Sequence, residues 1–403
     1  MSFVWDTIVI GGGAAGFFAA INIDQKNSKP SILILERSHQ LLNKVKISGG
    51  GRCNVTHSCF DPALLVKHYP RGGKSLRGPF SRFQPKDTIS WFESKGVNLH
   101  TESDGRMFPT TNDSQTIIDC LLKEAKKKGV EIQIGVSVNH VEKKDGFFIL
   151  STSKGELTCR KLILASGSHP KGYAIATQLG HTIIAPVPSL FTFNIPDSPL
   201  LDLAGISVDP VTVQADCTSY KQTGPLLLTH WGFSGPAILK LSAWAARDMH
   251  ACGYQTSITI NWTGELTLDN VKAAILSRKE QYASRIVRSD PIFSIPRQLW
   301  ERLLDCIKIP ESSRWTNLSN QNVNKLTAKL QQDRYQLNGK TTYKKEFVTA
   351  GGVCLDEVNF KTMESKLCSN LYFVGEILDI DGVTGGFNFQ NAWTTGFIAG
   401  KAN

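Results

Sequence analysis

Residues Thr7 to Gly16 read TIVIGGGAAG, with Gly11, Gly13 and Gly16 in G-x-G-x-x-G spacing directly after a short apolar run. A strand that ends in such a turn and opens a helix forms an anion site. The first glycine permits the tight turn, the second lets a pyrophosphate approach the backbone, and the third lets helix and strand pack closely. The motif alone is weak, because P-loops and ordinary buried turns are glycine-rich too. Its surroundings strengthen it: Ser31 to Leu35 (SILIL) reads as a second parallel strand, and Glu36 closes it twenty residues after Gly16, where a carboxylate can accept ribose hydroxyls. The opening therefore reads as a βαβ unit built for a dinucleotide.

Working outward, the chain of 403 residues is long enough for two or three domains, and 41% hydrophobic with 20% charged residues is ordinary for a globular protein. Its nine cysteines are odd in number and contain no C-x-x-C pair, which argues against a disulfide framework or a structural zinc site and fits a reducing cytoplasm. No metal site is expected. Thr7 to Ile23 carries no charge, yet three consecutive glycines, the preceding Asp6 and the lack of a basic flank argue against a membrane span or signal sequence. The net charge of +10 raises a nucleic-acid reading, and Lys67, Arg71, Lys74, Arg77, Arg82 and Lys86 concentrate basic residues in one segment. Charge runs are more often solvated faces, so the expected partner is a small-molecule substrate rather than a nucleic acid.

The segment Leu41 to Thr56 contains KISGGGRCNVT, which reads as a second phosphate-facing loop. Helical spacing follows at Thr88 to Gly96 and at Asp113 to Lys128, where Ile117, Ile118, Leu121, Leu122 and Ala125 share one face. Val130 to Ile134, Ser137 to Lys143, Phe147 to Ser151 and Leu157 to Cys159 read as a small antiparallel meander. Leu162 to Ala165 then reads as a buried parallel strand ending at Ser166-Gly167. Prolines at 186, 188, 196, 199 and 210 mark a boundary near residue 190. Strand-like and helical stretches mix up to about residue 345. From Glu346 apolar strands and glycine turns return, ending in GEILDIDGVTGGFNFQNAW and a closing helix. The expected fold is α/β: a dinucleotide-binding Rossmann-type domain from residues 1–190 and 346–403, interrupted at 191–345 by an inserted β-barrel-like plus helical domain that covers the active site.

GGGAAG with Glu36, then KISGGGRCNVT, DGRMFP, LILASG, GPLLLTHWGFSGPAIL, VTAGGV and GEILDIDGVTGGFNFQNAWTTG stand in the order seen in a bacterial flavoprotein family that includes aminoacetone oxidase and 3-dehydro bile-acid reductases. The chain resembles that family over essentially its whole length. The resemblance implies a glutathione-reductase-like fold binding FAD, with Gly11, Gly13, Ala14, Ala15 and Gly16 at the pyrophosphate, Glu36 on the adenosine ribose and Arg37 beside the adenine. It further implies contacts from Lys46, Ser48, Gly49, Gly50, Gly51, Arg52, Cys53 and Asn54 in the second loop. Val138 in the meander and Ala165, Ser166 and Gly167 at the returning strand join them.

At the C-terminal end the resemblance implies Gly375 and Glu376 near the ribityl chain, Asp379 as a further cofactor contact although such acids more often cap loops, and Gly385, Gly386, Phe387, Asn388 and Gln390 at a helix start near the flavin pyrimidine. There a helix N-terminus would stabilise the charge that develops on reduction. His230, in THWGFSGP before a helix marked by Ser234 and Pro236, is the candidate acid or base, with packing of the loop as the competing reading. Cys53 and Cys59 are separated by five residues rather than the four of disulfide reductases, so Cys53 reads as a packed residue beside the flavin. The segment ASGSHPKGYAIA is shorter than the family's usual loop, which puts the contacts of that loop in doubt.

The expected activity is FAD-dependent hydride transfer between a small organic substrate and flavin N5, as reductase or oxidase, with NAD(P)H as a transient donor despite the absence of a second nucleotide fingerprint. The alternatives are an RNA-binding or tRNA-modifying flavoprotein and a non-catalytic FAD-binding protein.

Overall fold

The computed structural model describes residues 3–24, 30–341 and 348–402. The chain separates into two compact units, Met1–Val187 with Lys345–Asn403, and Pro188–Lys344.

In the first unit, strand β1 (Val4–Ile10) runs parallel to β2 (Ile32–Glu36) on one side and to the strand Gly155–Leu164 on the other, with Ile8 in register with both Leu33 and Leu162. Thr7 to Ile10 and Ile32 to Leu35 are all buried, as unbroken apolar runs must be in a sheet covered on both faces. Leu371–Phe373 adds a further parallel strand beside Gly155–Leu164, and Glu131–Ile134 extends the other edge beside β2.

Two strands differ from the sequence expectation. Glu131–Ile134 is not part of the meander but pairs parallel with β2, because the helix Ser114–Lys128 before it is a crossover that returns the chain in the same direction. Asp113 caps that helix by accepting from the Gln115 N–H at 2.8 Å, and Gly129 ends it in the left-handed region. Leu157–Cys159 and Leu162–Leu164 are parts of one strand, Gly155–Leu164, that passes through Arg160 and Lys161 and ends one residue before Ala165. These charges break the apolar run without breaking the strand, because Arg160 is turned outward and lies 3.6 Å from Asp6.

Helix α1 (Ala14–Ile21) packs against the final helix Phe387–Ala402 with little between the backbones. A Cβ at Gly396 would lie 2.8 Å from the Ala15 carbonyl oxygen, and one at Gly400 2.6 Å from that of Ala19. The final helix is further anchored by buried hydroxyls. The Gln390 amide accepts from Thr56 at 2.6 Å and from Thr88 at 2.9 Å, and donates to Thr394 at 3.0 Å.

The second unit is built on a six-stranded antiparallel sheet in the order Phe193–Asn194, Gly232–Ser234, Lys221–Thr229, Ser207–Ala215, Gln255–Asn261, Asp333–Asn338. Its two edges approach each other: Phe193 bridges to Lys340, and the Asn194 N–H donates to the Gly339 carbonyl at 3.1 Å. The sheet is thus a nearly closed barrel, as expected, accompanied by the helices Leu268–Gln281, Arg297–Cys306 and Asn320–Gln331. Among these helices the buried Asp290 carboxylate accepts from Arg278 at 2.7 Å, from the Trp315 indole at 2.8 Å and from Arg285 at 3.2 Å. The helix expected over Pro236 to Met249 is two, Pro236–Trp244 and Ala246–Ala251, and the first is capped by Gly235 at φ +92° rather than by Ser234. Glu346, where the apolar pattern returns, lies outside the described residues.

Among the described residues no helix is long and apolar enough to cross a membrane.

Candidate dinucleotide site

The chain leaves β1 at Gly11, whose φ of +118° is open to glycine, and a Cβ there would meet the Ala165 carbonyl oxygen at 2.3 Å. Gly16 is equally constrained, with a Cβ placed 2.0 Å from the Gly11 carbonyl oxygen. Gly13 is different: it precedes α1 at φ −94° and ψ −174°, and a Cβ there would meet no protein atom within 4 Å. Two glycines therefore hold strand, turn and helix together, while the middle one leaves backbone facing a cavity. No side chain caps α1 at Gly13, so the N–H groups of its first turn are left for a ligand.

The cavity has a volume of about 510 Å³ and reaches from Arg37 to Asn388. Of the expected residues, Gly11, Gly13, Ala14 and Ala15 line it at the first turn, and Glu36, Arg37 and Ser48 line it beside that turn. Ala165, Ser166 and Gly167 contribute from the returning strand, Glu376 and Asn388 from the C-terminal segment. A smaller cavity of about 140 Å³ shares Gly11, Glu36, Arg37 and Ser166 with it and adds Val138.

Glu36 accepts from the Gly12 N–H at 2.8 Å and from the Ser38 N–H at 2.7 Å. A carboxylate has about four lone-pair sites, so two stay available for a diol. At the other end Glu376 pairs with Lys44 and accepts from the Thr349 N–H at 3.1 Å. His169 also lines the cavity, and burial, reinforced by Arg37 and Lys171, holds its imidazole below the ordinary histidine range.

Other expected residues lie outside both cavities. The stretch Asn43–Gly51 is not a simple loop: it starts helical and leaves the helix at Ser48, Gly49 and Gly50. Gly49 packs against Phe108, whereas Gly50 and Gly51 face open space, and the exposed Lys46 gives its carbonyl to Ser114 at 2.8 Å. Arg52 lies 4.0 Å from the Phe108 ring centre and bonds Glu102 at 2.7 Å. Cys53 is fully buried, which pushes its thiol up to about 12 and makes it a packed residue.

Gly375 donates its N–H to Thr395 at 2.9 Å, and the Asp379 N–H bonds the Val353 carbonyl at 3.1 Å. Gln390 is turned wholly inward, its amide held by the threonines described above, and it lines neither cavity.

At the start of the final helix, Asn54 accepts from the Gly386 N–H and donates to the Thr56 carbonyl, each at 3.0 Å. Gly386 could carry no side chain, since its Cβ would lie 2.5 Å from the Thr56 oxygen, and Gly385 abuts the Phe387 ring. Phe387 stacks on His68 at 4.2 Å and on His57 at 4.7 Å, and Tyr69 donates to its carbonyl at 2.6 Å. Arg71 bonds the fully buried Asp381 through two nitrogens. His230 lies in the second unit, exposed in the two-residue turn between Thr229 and Gly232.

Sequence reasoning passed over Gly12, Ser38, Lys44 and His169. Ser38 had a local signal, since it follows the strand-ending acid by two residues. Lys44 had none, because its partner stands 332 residues away.

The fit to FAD is good on structural grounds: a glycine whose missing Cβ opens onto an elongated cavity, a helix start without a side-chain cap, and a carboxylate with spare acceptor sites at one end. These features define a Rossmann-type dinucleotide-binding protein. The chain belongs to the HI0933-like family, whose description is "HI0933-like protein Rossmann domain" and whose model matches residues 5–402.

Among its relatives, a protein named ribosomal RNA dihydrouridine synthase from Haemophilus influenzae is 32% identical, covering 98% of each chain. One of the same name from Escherichia coli is 30% identical over 98% of this chain and 97% of its own. A 3-dehydro-bile acid delta(4,6)-reductase from Clostridium scindens is 26% identical over 98% of each. The exclusion of nucleic acid drawn from the charge pattern therefore has no support, since two full-length relatives carry names that refer to ribosomal RNA.

Proposed function

We propose that this chain uses reduced FAD to add hydrogen across a carbon–carbon double bond conjugated to a carbonyl, and that its substrate is a uracil ring in RNA. The three relatives suggest the reaction: a dihydrouridine synthase and a delta(4,6)-reductase of 3-oxo compounds both imply saturation of such a bond. The observation that favours RNA is local. Between Lys67 and Lys86 there is no acidic residue, and Lys67, Lys74, Arg77, Arg82 and Lys86 are all exposed on the unit that carries the dinucleotide cavity. Such a strip suits a phosphate backbone.

When bound, FAD supplies a hydride from N5. The chain's own residues have the following parts. The N–H groups of Gly13, Ala14 and Ala15 would hold the pyrophosphate, and Glu36, fixed by Gly12 and Ser38, would take the ribose hydroxyls. The final helix, held at its start by Asn54 and along its length by Thr56, Thr88 and Gln390, would present its positive end to the ring that gains charge. His230 is the candidate proton donor, and NADH or NADPH the candidate source of electrons.

The test is anaerobic: reduce the holoprotein, then mix it separately with unmodified ribosomal RNA, a 3-oxo-Δ4 steroid and oxygen. The expected result is flavin reoxidation by RNA, with uridines gaining two hydrogens by mass spectrometry. Reoxidation by oxygen alone, with peroxide formed and RNA unchanged, would overturn the proposal. Rapid reduction by NADH or NADPH in a parallel mixing identifies the donor.

A further inference from the structure

Lys86, the last cation of the basic strip, stands beside an aromatic ring that the fold leaves in the open. Among the described Phe, Tyr and Trp residues of the first unit, only Phe3 and Phe60 are exposed. Phe3 lies edge-on to Trp5, whereas the Phe60 ring meets a cation, with the Lys86 ammonium 5.6 Å from its centre. Both residues are fixed by their neighbours. Before Phe60 the Ser58 N–H donates to the Gly105 carbonyl at 2.8 Å, and after it Asp61 accepts from the Ala63 N–H at 2.7 Å. Lys86 lies in the first turn of the helix Pro85–Glu93, where Asp87 accepts from the Gln84 N–H at 2.8 Å. The acids that flank the pair in sequence are thus turned to backbone groups. Phe60 also follows His57 by three residues, at most about 11 Å of extended chain. The His57 ring lies 4.7 Å from that of Phe387, at the start of the final helix.

We propose that Phe60 and Lys86 form a stacking platform for an unpaired RNA base that neighbours the target uridine, a proposal that rests on the RNA reading above. An enzyme that works on a base must take it out of its stack, which strips the adjacent bases of a stacking partner. A phenyl ring replaces that partner whatever the sequence, because every base has a π-face, and a cation beside the ring attracts the adjoining phosphate. An exposed ring without such cations would suit an apolar protein surface. Here Lys86, with Lys67, Lys74, Arg77 and Arg82 exposed on the same unit, favours a polyanion.

The experiment measures binding of the full-length FAD-loaded protein to two labelled RNAs, a short unstructured strand and a duplex of the same length, over a range of salt. The parent should bind both. Phe60→Ala should weaken the single strand about tenfold without changing the slope of log affinity against log salt, and should leave the duplex, whose bases stack on one another, as tightly bound as before. Phe60→Leu should behave as Phe60→Ala does, so a folding loss in one leaves the other to decide, and Phe60→Trp should keep the parent's affinity. Lys86→Gln should lower the single-strand salt slope by about 0.7, the share of one phosphate contact. Unchanged single-strand binding by Phe60→Ala and Phe60→Leu, or an equal loss on both RNAs, would overturn the platform while the RNA reading stands. A parent protein that binds neither RNA at low salt would overturn that reading and the platform with it.

Discussion

Replacing Gly13 by Ala should separate cofactor binding from folding. At φ −94° and ψ −174° an alanine is unstrained, and its Cβ meets no protein atom within 4 Å. The cofactor-free variant should therefore be no less stable than the parent. Reduced freedom in its unfolded chain should add about 0.4–1 kcal/mol, or about 1–3 °C in Tm for a unit of this size. With FAD the sign reverses. The methyl group stands where the pyrophosphate would meet the first turn, so about two charge-assisted hydrogen bonds are lost, at about 1.5–3 kcal/mol each. The sum, about 3–6 kcal/mol, weakens FAD binding by about 10²- to 10⁴-fold.

Thermal melts of the apoprotein with and without FAD measure both effects. At about a hundred times Kd the parent gains about 2.7 kcal/mol from the ligand, and the variant should gain almost none. Gly11→Ala and Gly16→Ala form the contrast. Their Cβ atoms would lie 2.3 Å and 2.0 Å from carbonyl oxygens, so both should lose the fold along with the cofactor. An apo Gly13→Ala protein that melts several degrees low, or one that binds FAD as the parent does, would refute the division of labour among the three glycines.

Three further outcomes are expected. His230→Ala should keep the parent's ratio of bound flavin to protein while slowing the reoxidation of reduced flavin by substrate; loss of flavin would instead make His230 a structural residue. Asp290→Ala should destabilise the second unit by about 3 kcal/mol in urea titration, because it strands Arg278 and the Trp315 indole. Arg278 first, and Trp315 after it, hold Asp290 below the ordinary carboxylate range, so its contribution is present above that range and is lost as pH falls through the folded value.

His181 should make the first unit acid-sensitive. Ser365 accepts from the Leu367 and Cys368 N–H groups, which leaves its hydroxyl to donate to the His181 Nε2 at 2.7 Å and fixes a neutral ring. Burial holds its pKa below 6.5, so stability is full above the unfolded value and declines as pH falls toward the folded one. His181→Gln should flatten that decline, and an unchanged slope between neutral and mildly acidic pH would refute the assignment.

Much of the dinucleotide frame is legible in the sequence because it rests on local rules. Glycines at fixed offsets, an acid closing the second strand and unbroken apolar runs need no knowledge of distant partners. The mixture of strands and helices in residues 191–345 could be read from its pattern for the same reason. The misreadings share a cause in tertiary context. Glu131–Ile134 looks like one more meander strand until its preceding helix is seen as a crossover. Arg52 follows three glycines, as an anion ligand would, yet Glu102 and Phe108 claim it. Gln390 stands beside a glycine helix start, but which way its amide turns depends on Thr56 and Thr88, more than 300 residues earlier. Lys44 meets Glu376, and His57 and His68 meet the Phe387 ring, only through the final segment, so no local pattern announces those contacts.

The cavity that begins at Gly11 is completed by Val374, Glu376, Asn388, Asn391 and Ala392. On the ribosome, those residues appear only after the entire second unit, Pro188–Lys344, has been synthesised. A nascent chain can therefore form β1, α1 and β2 early, yet it cannot enclose a cofactor until the final helix lies against α1. FAD capture is consequently a late event in the life of each molecule, and a chain stalled anywhere within the barrel carries an exposed glycine turn with nothing to hold.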